Sequence, residues 1–245
     1  MALLTRDCQL RYDGRMEKKL TERQEKILDI IIKEYVILAE PISSQALRKK
    51  HNLDISPATI RTEMQKLTDG GYLFQPHTSA GRVPTDRGYR FFVDKILGEE
   101  INDINTDDWF NEEFRDGIKF FQSLTKKMAL ESQSLVLGYL KDEDVFWKEG
   151  WEELFKEPEF ENKETILNFT NFLEDFENNI SVLEIDAGIK VYIGKESPFS
   201  KIQDFSIIST SAFAILGPKR MDYKKNINLL KSATRSNLWK KKKKK

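Results

Sequence analysis

The stretch Ile55–Tyr89, ISPATIRTEMQKLTDGGYLFQPHTSAGRVPTDRGY, decides how the chain is read. Ser56 can accept from the free N–H groups of a helix start, Pro57 suits the first helical position, and nothing breaks the pattern before Gly70-Gly71. A helix over about 57–69 is predicted. At roughly 100° per residue, Ile60, Met64 and Leu67 share one stripe, while Ala58, Thr62 and Gln65 lie away from it with Thr59, Arg61 and Lys66 at the flanks. Short and polar side chains let a helix backbone approach a DNA major groove, and Thr, Gln and Arg can meet base edges and phosphates there.

Directly behind that helix come the apolar run Tyr72-Leu73-Phe74, a tip of His77, Thr78, Ser79, Ala80 and Gly81, and the return Arg82-Val83-Pro84. This reads as a two-stranded hairpin, a wing whose tip can hold phosphate and whose Arg82 can enter the minor groove. His77 reads equally as a phosphate contact or an exposed turn residue. Arg61 reads as a DNA contact or as an internal partner of Glu63 or Asp69. Thr85 caps a following helix whose Tyr89, Phe92, Val93 and Ile96 recur at helical spacing.

Upstream, Thr21-Glu22-Arg23-Gln24 is a capping-box pattern, and Ile27, Ile31, Tyr35 and Leu38 follow at helical spacing before Glu40-Pro41. Ser43, Ser44 and Gln45 start a second helix, expected to carry Ala46 and Leu47 inward and to touch phosphate at its start. Its Arg48, Lys49 and Lys50 point outward, either to phosphate or as a solvated face. Residues 1–19 show no periodicity and read as a disordered extension, with Met16 a candidate start.

Several segments carry a longer likeness. LTERQEKIL at 20–28, EPISSQAL at 40–47, SPATIR at 56–61 and QPHTSAGRVPTDRGYRFFVD at 75–94 resemble the winged-helix domain of the HrcA family, the bacterial heat-inducible transcription repressors. The likeness spans about 20–97. It departs at Thr62-Glu63, where that family is expected to carry Asn-Asp. EGWEELFKEPEF at 149–160, GIKVYIGKESP at 188–198 and ILGPKRMDYKKNINLL at 215–230 resemble parts of the family's GAF-like regulatory domain. Members usually carry an inserted dimerising subdomain, for which 135–180 leaves no room, so the resemblance implies a shortened member. It further implies a dimer on a CIRCE-type inverted repeat upstream of chaperone operons, tuned by heat and by the GroEL chaperonin.

The formal net charge of zero hides a division. Residues 1–97 hold 17 Lys and Arg against 13 Asp and Glu, 98–178 hold 8 against 22, and 179–245 hold 15 against 5. An acidic middle is repelled by phosphate and belongs away from a duplex. After a polar linker at 98–108, a helix over about 107–131 is expected, with Phe110, Phe114, Phe121, Leu124 and Met128 on one face beside Ile118. Strand-like runs follow at Leu135–Leu140, Val145–Trp147, Ile180–Ile185, Lys190–Ile193, Phe205–Ser209 and Phe213–Leu216, with helical segments near 149–156 and 163–177 and a turn at Asp186-Ala187-Gly188. A last helix from Asp222 carries Tyr223, Ile227, Leu230, Thr234 and Leu238 on one stripe. The final Lys240–Lys245 run is low-complexity, either a weak attractor of nucleic acid or a solvated tail.

The expected fold is therefore α+β, an N-terminal winged helix-turn-helix domain (20–97) followed by a reduced GAF-like α/β domain (109–239). Cys8 is the sole cysteine and His51 and His77 the only histidines, so neither an intrachain disulfide nor a Cys/His zinc site is expected. No apolar run could cross a membrane and no signal sequence is evident, so the expected location is the cytoplasm. No phosphate loop, nucleophile elbow or Ser/His/Asp set is present, so neither enzyme chemistry nor a cofactor is expected. The apolar strands of the second domain favour a packed core over a ligand pocket. The candidate double-stranded DNA contacts are Ser43, Ser44, Gln45, Ser56, Ala58, Thr59, Arg61, Thr62, Gln65, Lys66, His77, Thr78, Ser79 and Arg82. The aromatic face of the 107–131 helix reads first as a seam inside the second domain and otherwise as a contact with the partner copy's equivalent helix; on the second reading the candidate homodimer contacts are Phe110, Phe114, Phe121, Met128, Tyr223, Ile227 and Leu230. A different class of reading, a winged-helix scaffold for protein or RNA without operator binding, predicts equal affinity for any duplex.

Overall fold

The computed structural model describes residues 19–51, 53–99, 117–140, 145–180 and 188–235. The N-terminal extension up to residue 18, nearly all of the linker, Phe110, Phe114, most of the run Ile180–Ile185, the turn residues Asp186 and Ala187, Leu238 and the lysine tail lie outside them.

Helix α1 (Glu22–Leu38) starts at the capping box read from sequence: Gln24 N–H donates to Thr21 Oγ1 at 3.3 Å and Thr21 N–H to Gln24 Oε1 at 3.0 Å. Its apolar face buries Ile27, Leu28, Ile31 and Ile32, whereas Leu38, expected inward, remains 48% exposed. After α2 (Ser44–His51) and α3 (Pro57–Asp69) come two short strands, β1 (Leu73–Phe74) and β2 (Val83–Pro84). They pair antiparallel with Leu73 opposite Pro84 and Phe74 opposite Val83. Helix α4 (Asp86–Gly98) follows at once, its Thr85 side chain accepting from Gly88 N–H.

The second half is built on one five-stranded sheet of β3 (Leu135–Leu140), β4 (Val145–Glu149), β5 (Lys190–Ile193), β6 (Phe205–Ser209) and β7 (Phe213–Pro218). Its order is β4-β3-β7-β6-β5, and all the pairings are antiparallel. Strands β6 and β7 are buried at every residue because both faces are covered, which is why adjacent residues such as Ile207 and Ile208 or Ile215 and Leu216 are apolar together rather than alternating with polar ones. Successive residues still point to opposite faces. Leu135, Leu137, Ile207, Ala214 and Leu216 meet Phe169, Phe172 and Phe176 of α7 (Lys163–Asn178), together with Leu154 of the short α6 (Trp151–Leu154). Val136, Ile208, Phe213 and Ile215 meet α5 (Gly117–Ser132) and α8 (Tyr223–Arg235).

The two halves share apolar packing through α4. One cluster of buried side chains runs from Ile27 and Leu28 through Tyr89, Phe92 and Val93 to Tyr223, Ile227 and Leu230. The Tyr89 and Tyr223 ring centroids lie 5.6 Å apart. This packing matches the reading of the 107–131 face as an internal seam and goes against the candidate dimer contacts at the described positions. Phe121, Met128, Tyr223, Ile227 and Leu230 are all at most 2% exposed within a single chain. An amphipathic stripe reports that something covers it; here the chain's own sheet and helices do.

Candidate nucleic-acid interface

Helix α3 is positioned by its buried side. Ser56 Oγ accepts from Thr59 N–H at 3.1 Å with Pro57 at the first turn, and Ile60, Met64 and Leu67 sink into the core. Glu63 is buried beside them, where it accepts from Gln24 of α1 and pairs with Lys66, both at 3.1 Å. The opposite face is open: Ala58, Arg61, Thr62, Gln65 and Lys66 are exposed and Thr59 is half-buried. Thr62 donates back to Ala58 C=O, a bond that its hydroxyl can exchange by rotation. Arg61 has no ion-pair partner among the described residues, since Glu63 goes to Gln24 and Lys66, and Asp69 to Gln65.

The hairpin meets α3 at its base, where Arg82 reaches Gln65. His77, Thr78 and Ser79 are all exposed. The loop is held from inside by Gln75, whose Nε2 donates to Thr78 C=O at 2.8 Å and Ala80 C=O at 2.9 Å. At its base the chain runs against the α1–α2 connection, where Ile42 and Arg82 exchange backbone hydrogen bonds of 2.9 and 2.8 Å. Gly81 permits this approach, because a Cβ there would lie 2.4 Å from the Ile42 carbonyl carbon and oxygen.

Arg82 is turned inward rather than toward a groove. It is 8% exposed, with Nε donating to Thr68 Oγ1 at 3.0 Å and Nη2 to Gln65 Oε1 at 2.8 Å. Its backbone is pinned to Ile42, and the side chain reaches the two hydrogen-bonding groups that α3 offers on that side. Sequence alone places an Arg at the base of a wing but does not say which way it points.

At α2, Ser43 Oγ caps Ala46 N–H at 3.2 Å. Ser43 and Gln45 are exposed, Ser44 is buried, and Ala46, expected inward, is exposed while Leu47 fills the core. Arg48 and Lys49 face outward, but Lys50 and His51 fold back on Glu34 of α1 at 2.7 and 2.9 Å. Burial works to raise the Glu34 pKa, and the hydrogen bonds from Lys50 and His51 outweigh it, holding the carboxyl below the usual carboxylate range. Among the described residues no His, Cys, Asp and Glu group is placed to hold a metal ion, and no helix is long and apolar enough to cross a membrane.

A family model described as the HrcA protein C-terminal domain matches residues 85–227, well over half of the chain. The chain belongs to the HrcA family. The HrcA match begins at the cap of α4 and runs into α8. A relative named heat-inducible transcription repressor HrcA, from Thermoanaerobacter sp. strain X514, is 28% identical over 328 aligned positions covering 88% of this chain and 95% of the relative. That alignment is longer than this chain of 245 residues, so the relative carries sequence with no counterpart here. The HrcA of Streptomyces avermitilis is 57% identical over 79 residues, 32% of this chain and 23% of that protein. A crystal structure titled as a hypothetical protein at 2.2 Å resolution superposes with a TM-score of 0.79 at 21% identity, over 91% of this chain and all of that one, which shows a shared fold. HrcA proteins are transcription repressors and not enzymes.

Sequence reading missed the residues that hold the exposed ones in place. Asp69 had a visible signal, since a Gln and an Asp four residues apart on a helix are natural partners. Gln75, one residue before the Pro76 that opens the tip, had the length and the two N–H groups to staple the loop. Gln24, Glu63 and Thr68 carried no such sign, because their partners are set by tertiary packing.

Proposed function

We propose that the chain represses heat-shock operons by placing α3 in the DNA major groove and the 77–79 tip against the adjacent backbone, as a winged helix followed by a GAF-like domain. The observation that carries this is α3 itself: Ile60, Met64 and Leu67 are buried while Ala58, Arg61, Thr62 and Gln65 stand exposed, and the tip of the hairpin that follows is exposed as well. Thr62 and Gln65 then read base edges, and Arg61 and Lys66 supply charge for phosphate. The helix starts bring Ser43, Gln45, Ser56 and Thr59 to the backbone, and His77, Thr78 and Ser79 hold the flank. Ser44 and Arg82 serve from within. The protein works as a homodimer in the cytoplasm on a CIRCE-type inverted repeat, because one such module covers a single half-site and two linked copies bind far more tightly. Membership of the HrcA family supports this reading, and the resemblance adds GroEL as the partner that keeps the repressor active.

The test is binding of the full-length protein to a duplex carrying the inverted repeat against a scrambled duplex at one salt concentration. The repeat should bind at least about a thousandfold more tightly. Equal affinity for both would remove the repressor reading and favour a scaffold.

A further inference from the structure

Helix α1 ends without a cation of its own. No basic residue lies in its last turn, and Ala39 closes it in the left-handed region at φ 54°. The last carbonyls of a helix lack donors within it and carry the negative end of its dipole. The second half of the chain supplies the missing cation: Arg220, on the β7–α8 turn, donates from Nη1 to Val36 C=O at 2.8 Å. Its Nε and Nη2 go to Glu157 and Glu159 on the connection between α6 and α7, with Nη2 to Glu159 Oε2 at 2.8 Å. That connection is itself fixed, because Phe160 is buried against Phe169 and Phe205. Burial works against the guanidinium charge, and the Glu159 and Glu157 carboxylates outweigh it.

Where α1 points, α3 points. Ile27, Leu28 and Ile31 share one core with Ile60, Met64 and Leu67, and Gln24 bonds to Glu63. The two halves meet along α4, through the Tyr89–Tyr223 contact and the pair of Asp86 with Lys219. A single line of contact leaves rotation about itself, and a second hold away from that line removes it. At the end of α1 apolar packing does not provide that hold, since Ile37 and Leu38 are 70% and 48% exposed. Two clefts open there between α1 and the second half: one of about 530 Å³ lined by Ile32, Val36, Tyr223 and Asn228, the other of about 380 Å³ lined by Val36, Leu38, Ser134 and Met221. Arg220 crosses this loosely packed region. Neighbours on one turn thus take one helix each, Lys219 the start of α4 and Arg220 the end of α1.

We propose that Arg220 is a positioning residue that fixes the angle between the winged helix and the second half, and so sets which half-site spacing the dimer accepts. The inference rests on the DNA-binding homodimer read above. A rigid link between two binding modules concentrates their joint affinity on the spacing that it matches, and a loosened link spreads it over many. The hydrogen bonds of Arg220 reach neither α3 nor the hairpin tip, so each half-site is read as before when the link loosens.

The test titrates full-length protein with the inverted repeat, with the same repeat whose spacer is changed by up to about five base pairs, half a helical turn, with a single half-site and with scrambled duplex. The wild type should prefer one spacing by about tenfold or more. Arg220→Ala should shrink that preference to about twofold while single half-site affinity stays within about twofold of wild type. Arg220→Lys keeps a cation for the Val36 carbonyl and should retain most of the preference. Glu157→Ala combined with Glu159→Ala, at partly exposed positions, removes the anchor without touching α1 and should reproduce the Arg220→Ala profile. A wild-type spacing profile in both the Arg220→Ala protein and the double variant overturns the proposal, as does a loss that is equal at single half-sites and at every spacing, which marks a merely weakened fold. A wild type that prefers the repeat but is indifferent to its spacing overturns this proposal alone. One that binds repeat and scrambled duplex equally overturns the DNA-binding reading and the proposal with it.

Discussion

Arg90 of α4 grips Glu196, 106 residues further along the chain, through both ends of its guanidinium: Nε donates to Oε1 at 2.9 Å and Nη2 reaches Oε2. The same Nη2 donates to Val191 C=O at 2.6 Å. Four residues before Arg90, Asp86 takes Lys219 Nζ at 2.7 Å and Lys195 N–H at 3.3 Å. Gly194 turns the chain there with φ 51°, where a Cβ would lie 2.4 Å from Asp86 Oδ2. The helix that directly follows the hairpin is thus latched to the edge of the sheet by paired charges as well as by apolar packing.

Arg90→Ala should lower the unfolding free energy by about 2 kcal/mol, the scale of hydrogen bonds to charged partners, discounted for a pair that water partly reaches. A double-mutant cycle with Glu196→Ala should show a coupling of about 1 kcal/mol. Additive effects would mean that the two side chains stabilise the fold independently.

Gly81→Ala should damage the hairpin while sparing the sheet. The added methyl would meet backbone atoms of Pro41 and Ile42 at 2.6 and 2.4 Å, so the Ile42–Arg82 bridge must open. A loss of about 1–3 kcal/mol in stability is expected, with DNA affinity falling more steeply than helix content by circular dichroism. Unchanged DNA affinity would show that the tip plays no part in binding.

Local signals explain which of these features could be read from sequence. The Thr21 capping box, the Ser56-Pro57 start of α3 and the hairpin at Leu73–Pro84 depend on residues within a few positions of each other, and all stand where the pattern put them. The stripes on α5 and α8 were equally visible, but periodicity says that Phe121 or Tyr223 must be covered without saying by what. Arg82 shows the same limit at the site. Its choice between a groove and α3 turns on Thr68 and Gln65, 14 and 17 residues away, which only the folded hairpin brings within reach.

The Glu34 pair gives the fold an acid-sensitive joint between α1 and α2. Because the folded pKa lies below the ordinary 4.5, the pair's contribution is present above about 4.5 and is lost as pH falls through the folded value. Glu34→Gln should therefore cost about 1–2 kcal/mol at neutral pH and progressively less as pH drops below 4.5. Denaturant melts of both proteins across that range would show the two curves converging. A gap that stayed constant with pH would assign the loss to packing instead.

Phe121 separates an internal core from a subunit contact. It is 2% exposed within one chain, its ring stacks on Phe213 with centroids 4.8 Å apart, and Trp147 lies 5.7 Å away. Truncating such a ring removes buried area and leaves a cavity, at a cost of about 3–5 kcal/mol. Against a total stability of about 5–15 kcal/mol, that is enough to bring unfolding close to working temperature. A residue at a dimer contact behaves differently, since stabilisation by association grows with protein concentration and its loss leaves a folded monomer. Phe121→Ala should therefore lower Tm by a similar amount at every protein concentration, and sedimentation of the fraction still folded should show the association state of the wild type. A variant with the wild-type Tm that sediments as a monomer would return Phe121 to the dimer interface.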